Sequence, residues 1–373
     1  MKVAIVNCFD TYESRIDLLH DFFISKGHDV VVIQSNYRHF EKSYRRDSKK
    51  NFMFIDTKPY YKNLSLGRII SHYCYAKKAF EYVEQIKPDL LYVIIPPNSL
   101  AKFASKYKRK NNNVKLIFDL IDLWPETMPV GKIKKYPPFT FWRLMRDDSL
   151  KFADSIITEC NLYQLILKDI LKNLNTETLY LAKKKIEVNS EFLLKQDETH
   201  LCYLGSINNI IDIIKIKSLI AIMHKIKPTT LHIIGDGENR SFLINEINST
   251  GATVIFYGNV YDSQKKQKIF DKCHFGINIM KESVCVGLTM KSIDYFQHGI
   301  PIINNIPADT AQIVDQYKVG INLTSDIKEV AYQVTNVDIK ELEKMKKRAN
   351  EVFAKLFSLQ SFEKKMENII KGL

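Results

Sequence analysis

The chain lacks several features that would assign its class directly. Its six cysteines form no CxxC pair and no metal-ligand spacing, which indicates reduced thiols in a cytosolic protein and disfavours a metal centre. No apolar run approaches the ~18 residues of a membrane-spanning helix. The N-terminal MKVAIVNCFD is apolar but short, and we interpret it as a first strand and not as a signal peptide.

Acidic residues are too few to balance the basic ones. The 373 residues carry 55 Lys and Arg against 42 Asp and Glu, and the excess is concentrated in the segments 38–50, 102–110 and 131–146. Solvated basic faces are the simplest explanation. Nucleic acid would match the charge, but no nucleic-acid-binding motif accompanies it. The third segment, GKIKKYPPFTFWRLMR, interleaves basic and aromatic residues, which favours contact with an anionic membrane surface.

Strands and helices alternate along the whole chain. Continuous apolar strands such as LLYVII separate amphipathic helices, which predicts parallel sheets covered on both faces. The chain is too long for one typical core, and the alternation begins again after a charged stretch at 176–199 that we interpret as a linker. We therefore predict an α/β protein of two doubly wound, Rossmann-like domains, at 1–178 and 200–357, that face a cleft, with a helical C-terminal tail.

The most informative stretch is 286–304, VGLTMKSIDYFQHGIPIIN. It predicts a glycine turn, a helix over 289–298 and an apolar strand. Lys291 and Asp294 share one face near the helix start, where free amides and the positive dipole end favour phosphate. Lys291 would add a full charge, and Asp294 would accept hydrogen bonds from ribose hydroxyls. An ordinary amphipathic helix would show the same spacing.

Turns follow three other strands of the second half, at 205–206, 235–237 and 257–258. A glycine after a strand usually only makes a tight turn. However, ligands of open α/β sheets bind beyond the carboxyl ends of the strands. The three turns and the Lys291–Asp294 pair, in this order, therefore predict a nucleotide site.

The order of these motifs resembles the GT-B glycosyltransferases, specifically glycosyltransferase family 4. YLGSI, HIIGDGENR and VIFYGNV resemble successive turns of that family's donor domain, and KSIDYFQHGIPI resembles its KxxEYxxxGxPV pattern with Asp294 in place of Glu. DLIDLWPE, at 119–126, resembles a segment of bacterial transferases that build surface polysaccharides and lipid-linked oligosaccharides.

The resemblance implies a retaining transfer from a nucleotide-diphosphate sugar with no essential metal or other cofactor, and a final helix, 358–373, that crosses back to the first domain. It also implies a donor site. The donor-binding residues predicted in this way are Gly205, Ser206, Gly235, Asp236, Gly237, Tyr257, Gly258, Val260, Gly287, Leu288, Thr289, Lys291 and Asp294.

The chain departs from the family pattern at two places. The family's paired carboxylates lie eight residues apart, and the residue eight positions before Asp294 is Val286. Glu282, four positions earlier, is the candidate that would hold the donor sugar instead. The first turn, NCFDTYESR, lacks the glycines that the family often has there.

Carboxylates also end two strands of the first half. Asp119 and Asp122 end a strand that we expect to be buried. A carboxylate there would orient or deprotonate an acceptor hydroxyl, although helix capping or turn chemistry explains the same residues. Glu159 ends the next strand and is a further, weaker candidate. The predicted catalytic residues are thus Asp119, Asp122 and Glu282.

We therefore expect a cytoplasmic hexosyltransferase, peripheral at the inner face of the cell membrane. Its partners would be a nucleotide sugar and a polyprenyl-diphosphate-linked saccharide of capsule or exopolysaccharide assembly, and not nucleic acid. Two alternatives stay open. A non-catalytic GT-B partner subunit would explain Val286, and a nucleotide-sugar 2-epimerase would share the fold but needs further acid and base groups.

Overall fold

The computed structural model describes residues 1–128, 130–186 and 194–373. The chain divides into two compact units. The first unit is Met1–Ala182 together with Phe362–Leu373, and the second unit is Lys183–Ser361. The stretch interpreted as a linker, 176–199, begins with a strand, Thr176–Thr178, that belongs to the sheet of the first unit. Its residues 187–193 lie outside the described residues.

A seven-stranded parallel sheet forms the centre of the first unit as described. The strands of this unit are β1 (Lys2–Asn7), β2 (Asp29–Ser35), β3 (Tyr37–Arg38), β4 (Ser43–Tyr44), β5 (Phe52–Ile55), β6 (Leu90–Ile95), β7 (Lys115–Leu120), β8 (Ser155–Thr158) and β9 (Thr176–Thr178). The sheet order is β5-β2-β1-β6-β7-β8-β9, while β3 and β4 form a separate antiparallel pair. Every residue of β6 is buried, as expected for a strand covered on both faces.

The helices of the first unit are α1 (Glu13–Ser25), α2 (Leu66–Ile86), α3 (Asn98–Lys110), α4 (Phe139–Leu150), α5 (Asn161–Ile166) and α6 (Lys168–Leu171). Helix α2 starts where the Ser65 hydroxyl accepts a hydrogen bond from the amide of Arg68 at 3.2 Å, which satisfies one of the free amides of the first turn. It ends at Lys87, whose backbone is left-handed with φ 49°. Helix α2 packs against α3, and α3 packs against α4.

The second unit has its own parallel sheet, six-stranded in the described residues. Its strands are β10 (Thr199–Leu204), β11 (Thr229–Ile234), β12 (Thr253–Gly258), β13 (Phe275–Asn278), β14 (Ile302–Asn304) and β15 (Gly320–Asn322). Its helices are α7 (Ile213–Ile226), α8 (Arg240–Asn248), α9 (Ser263–Phe270), α10 (Met290–Gln297), α11 (Asp309–Tyr317), α12 (Ile327–Thr335) and α13 (Ile339–Val352). The sheet order is β12-β11-β10-β13-β14-β15.

Both sheets have the strand order of a doubly wound dinucleotide fold. The order reverses between β1 and β6 in the first unit and between β10 and β13 in the second. This confirms the predicted α/β class with two Rossmann-like sheets. The edge strands β9 and β15, each three residues long, and the helices α11 and α12 were not predicted.

The last helix, α14 (Leu359–Lys371), joins the first unit from Phe362 onward. The Arg15 guanidinium lies 5.5 Å from the ring centre of Phe362, and Lys26 Nζ lies 2.5 Å from Glu367 Oε1. In the described ranges, no helix combines the length and the apolar composition needed to cross a bilayer.

Candidate functional site

The ends of β10, β11 and β12 and the turns that follow them are hydrogen-bonded to one another at one edge of the second sheet. The Gly205 amide donates to the Ile234 carbonyl at 2.8 Å, and the Gly235 amide donates to the Gly258 carbonyl at 2.7 Å. Gly235 has φ 133°, and a Cβ atom there would lie 2.1 Å from the Gly205 oxygen. Only glycine fits this position, and the close approach brings the ends of three strands together.

These turns line a cavity of about 370 Å³ beside the point where the strand order reverses. Six of the thirteen predicted donor-binding residues line it: Gly205, Ser206, Gly235, Val260, Lys291 and Asp294. Other polar or aromatic residues that line it, Asn208, Asn259, Tyr261 and Lys266, were not predicted as binding residues. The position and size of this cavity are typical of a site for a nucleotide-sized ligand.

Lys291 lies inside this cavity, and no carboxylate among the described residues pairs with it. Its Nζ donates a hydrogen bond to the Tyr203 hydroxyl at 2.7 Å and lies 4.2 Å from the centre of that ring. The Tyr203 hydroxyl in turn donates to the Ser206 carbonyl at 2.7 Å. Burial lowers the pKa of Lys291 to about 7, so an incoming anion would meet a side chain ready to take up a proton.

Asp294 forms an ion pair with Lys183. Its Oδ1 lies 2.5 Å from Lys183 Nζ, and both side chains are partly exposed. Lys183 is the first of three consecutive lysines, within the stretch interpreted as a linker. The sequence does not distinguish Lys183 from its two neighbours as a partner of Asp294. The backbone fixes its position, since the Lys183 amide donates to the Phe357 carbonyl at 2.8 Å.

Helix α10 begins at the cavity. Thr289 caps it, because its Oγ1 accepts a hydrogen bond from the Ser292 amide at 3.1 Å and donates to Asn278 Oδ1 at 2.9 Å. The cap buries Thr289, and the next two residues, Met290 and Lys291, line the cavity. First-turn amides have no intrahelical partner, so the positive end of the helix faces the same space as Lys291.

Seven predicted donor-binding residues do not line the cavity. They lie at the ends of β11 and β12 and just before α10: Asp236, Gly237, Tyr257, Gly258, Gly287, Leu288 and Thr289. Asp236 pairs with Arg240 at 3.2 Å. The Tyr257 hydroxyl lies 2.9 Å from His232 Nδ1, with the two rings stacked. The Gly287 carbonyl accepts from the Thr310 amide and hydroxyl, which fixes the loop before α10.

Glu282 lies outside the cavity. Its side chain is 85% exposed, and its Oε1 lies 3.0 Å from Lys215 Nζ. Val286, at the position of the family's carboxylate, packs against the hydrophobic core of the second unit. The residue predicted to hold the donor sugar is therefore a surface ion-pair partner in this structure.

Asp119 occupies the interior of the first unit. Arg15 Nε donates to its Oδ2 at 2.9 Å, and the Tyr92 hydroxyl donates to the same oxygen at 2.7 Å. The side chains of Arg15 and Asp119 are 1% and 0% exposed. This pair holds α1 against β7, because separating it would leave a buried charge alone.

Asp122 and Glu159 form a second carboxylate group beside this ion pair. Asp122 accepts hydrogen bonds from the Trp124 indole at 2.6 Å and from the Thr127 hydroxyl at 2.5 Å, while burial raises its pKa. Burial, with the negative charges of Asp122 and Asp119 nearby, raises the pKa of Glu159 to about 8 against the opposing effect of Arg15. A carboxyl with such a pKa exchanges protons near neutral pH.

A scan against protein-family models finds no match, and neither does a search of curated proteins. Solved structures do match. Sucrose-phosphate synthase from Thermosynechococcus elongatus is 14% identical with a TM-score of 0.73, covering 100% of this chain and 98% of that one. Anabaena HepE in complex with UDP is 12% identical with a TM-score of 0.70, and both chains are fully covered.

A third match is WaaG, a glycosyltransferase involved in lipopolysaccharide biosynthesis. It is 14% identical with a TM-score of 0.65, and 100% of each chain is covered. At these identities the likeness establishes the fold. The chain has the two-domain GT-B fold that these structures share.

Proposed function

We propose that this chain is a glycosyltransferase whose donor is a nucleotide-diphosphate sugar with uracil as its base. The observation that carries the proposal is one cavity at the strand-order reversal that gathers Lys291, the start of α10 and Asp294. A diphosphate needs positive charge and free amides, and a ribose needs a hydroxyl acceptor. The complex of HepE with UDP, in a chain of the same fold, supports the choice of base.

The leaving diphosphate would be stabilised by charge that the cavity already positions. Met290 and Lys291, the first two residues of α10, line this space, and positive groups at a helix start act most strongly on charge that develops during the reaction. We therefore propose transfer without a divalent metal, and we propose retention because the resemblance to glycosyltransferase family 4 implies it. The motif resemblance at 205–206, 235–237 and 291–301 supports membership in glycosyltransferase family 4.

The acceptor would bind to the first unit beside Asp122 and Glu159. Glu159, with a pKa raised to about 8 mainly by burial, would take the proton of the attacking hydroxyl, while Asp122 orients it. We propose a lipid-linked saccharide of surface-polysaccharide assembly as the acceptor, with peripheral attachment to the membrane. The DLIDLWPE segment that contains Asp122 supports this acceptor class.

A second candidate function is a nucleotide-binding partner subunit without catalysis. The observation that favours it is that Val286 packs against the hydrophobic core, together with the surface ion pair of Glu282. Such a protein would bind UDP through Lys291 but neither hydrolyse nor transfer a sugar.

Binding of UDP, GDP, dTDP and ADP to the purified chain tests the proposal by calorimetry and thermal shift. A ligand at 100 times its Kd adds about 2.7 kcal/mol of stability and raises the unfolding midpoint by a few degrees. We expect UDP to bind, and Lys291→Met and Asp294→Ala to weaken it, whereas Lys344→Met, at a 69% exposed side chain, has no effect.

Turnover separates the two candidates. Radiolabelled UDP-sugars are incubated with the chain and with membrane extracts as the acceptor source, with and without EDTA. Transfer or donor hydrolysis that survives EDTA supports the enzyme. UDP binding with no turnover of any donor supports the partner subunit, and absence of nucleotide binding refutes both.

A further inference from the structure

We propose that one face of the first unit docks onto an anionic phospholipid bilayer and receives an acyl chain in an apolar groove. The face consists of the start of α2, the outer side of α3, and α4 with the segment before it. This face would bring the protein to its lipid-linked acceptor, a role that rests on the proposed function. Docking itself is tested without any nucleotide.

The groove consists of two adjoining cavities. One of about 250 Å³ lies between the start of α2 and the start of α4, and one of about 300 Å³ continues along α4 toward α3. Ile69, Pro138 and Trp142 line both cavities. The remaining walls are largely apolar and include Leu66, Ile70, Tyr73, Phe139, Phe141 and Met145. A continuous groove with such walls suits a hydrocarbon chain.

The rim of the groove exposes large apolar side chains to solvent. Leu66 is 73% exposed, Phe141 is 65% exposed and Ile70 is 53% exposed. Further exposed apolar residues on the same elements are Leu64, Tyr73, Ile133, Tyr136 and Leu144. Single exposed apolar residues are ordinary, but a cluster around a groove marks an interaction surface.

The segments that build this face are strongly basic, although the last turn of α4 carries Asp147 and Asp148. Residues 57–80, 98–110 and 131–146 each contain five basic and no acidic residues. Two of these side chains are buried and engaged, since Arg146 pairs with Glu126 at 2.9 Å and Arg68 lies 4.5 Å from the Trp124 ring centre. Exposed lysines remain on the same segments, at Lys62, Lys102, Lys132 and Lys135, and Lys102 lines the groove itself.

This combination selects one kind of partner. Exposed aliphatic and aromatic side chains bordered by lysines match the interface of a bilayer with anionic headgroups, where the lysine stems lie along the apolar region and the ammonium groups reach the phosphates. Nucleic acid would pair its phosphates with the lysines but would leave the apolar groove empty. A second copy of the chain would bring the same positive charge against itself.

Co-sedimentation with vesicles tests the docking surface. The full chain is mixed with vesicles of phosphatidylglycerol and phosphatidylcholine, or of phosphatidylcholine alone. We expect binding to the anionic vesicles and at least tenfold weaker binding to the neutral ones. The double variants Leu66→Ser with Phe141→Ser, and Lys132→Gln with Lys135→Gln, should each weaken binding at least tenfold with an unchanged unfolding midpoint.

Matched substitutions on the second unit serve as controls. Tyr332 is 63% exposed and Lys344 is 69% exposed, so Tyr332→Ser and Lys344→Gln remove similar groups away from the groove and should leave vesicle binding unchanged. Equal loss in the controls and the groove variants, or no binding by the wild-type chain, refutes the proposal. Self-association through the groove without vesicle binding also refutes it and identifies a second copy as the occupant.

Tryptophan fluorescence tests the groove itself, because the chain has two tryptophans and Trp142 lines both cavities. Lipids with brominated acyl chains quench an indole that they contact. We expect quenching in the wild-type chain and its loss in Trp142→Phe, which retains Trp124. Vesicle binding with no quenching of Trp142 overturns the groove as a chain site. Because UDP is absent from these experiments, their failure is separate from failure of the nucleotide site.

Discussion

Lys291 should link nucleotide affinity to pH. Burial lowers its pKa to about 7, so the free protein loses the ammonium charge progressively above neutral pH. A diphosphate beside Nζ favours the charged form and raises the pKa of Lys291 in the complex. Binding therefore takes up a proton, and the Kd for UDP rises with pH between the pKa of the free protein and that of the complex.

The size of the effect follows from the fraction of protonated Lys291. If the complex restores the pKa of Lys291 to its ordinary value of 10.5, the Kd should increase about fivefold from pH 7 to pH 8 and about ninefold from pH 8 to pH 9. The last phosphate ionisation, near pH 6, is complete over most of this range. Titration calorimetry at each pH, in two buffers of different ionisation enthalpy, measures both the Kd and the proton uptake.

The variant Lys291→Met provides the comparison. It should bind UDP more weakly at pH 7, and its affinity should not change between pH 7 and pH 9. A wild-type chain that binds UDP with the same Kd and no proton uptake across this range would contradict the reasoning, because Lys291 would then not touch the phosphates.

Lys291 should also lower the free energy of unfolding at neutral pH. The folded pKa lies below the ordinary value of 10.5, so the unfolded chain binds more protons, and stability rises as pH increases from 7 toward 10.5. Lys291→Met should therefore raise the free energy of unfolding at pH 7, by an amount of order 1 kcal/mol or more, and lose this advantage above pH 10.5. Urea unfolding at both pH values measures it.

Three further predictions concern the fold around the sites. Gly235→Ala should abolish UDP binding and lower stability, because its Cβ would lie 2.1 Å from the Gly205 oxygen; calorimetry and urea unfolding measure both. Arg15→Met should lower the free energy of unfolding by about 3–5 kcal/mol, since it leaves the fully buried Asp119 unpaired. Burial lowers the pKa of His232 to about 4, so the unfolded chain binds more protons than the folded one as pH falls from 6.5 to 4. The free energy of unfolding should therefore fall by about 3 kcal/mol over this range. His232→Gln should reduce this dependence of stability on pH.

Each of these has a matched control. Gly67→Ala lies in a helix where the nearest atom to its Cβ is 3.8 Å away, and it should be tolerated. Lys26→Met breaks an ion pair with the exposed Glu367 and should change stability little. His20→Gln, at a half-buried side chain of α1, is the histidine substitution to compare with His232→Gln. If a control variant changes the measured quantity as much as its test variant does, the corresponding explanation is refuted.

Several features of the fold were accessible from the sequence because they depend on local chemistry. Continuous apolar strands such as β6 occur where both sheet faces are covered, so LLYVII predicted a buried parallel strand that the structure contains at Leu90–Ile95. Gly205 and Gly235 have positive φ, a conformation that favours glycine. The glycines in the sequence therefore predicted the turns at this edge of the second sheet.

The exact membership of the cavity was less accessible. Asp236 and Tyr257 stand in the turns that the motif singled out, but side chains near a strand end point to different sides, and these two contact Arg240 and His232. Lys183 is one of three similar lysines, and only its backbone bond to Phe357 decides which of them meets Asp294.

The sequence by itself determined the fold class, the glycine turns and the basic segments, because periodicity, φ requirements and charge are properties of neighbouring residues. The tertiary structure alone decided which side chains share a space. Leu66 and Phe141 line one groove although β6, α3 and β7 separate them in the chain, since the packing of α2 and α4 around α3 sets their distance. Contacts between distant residues depend on how elements pack, and no local pattern records that.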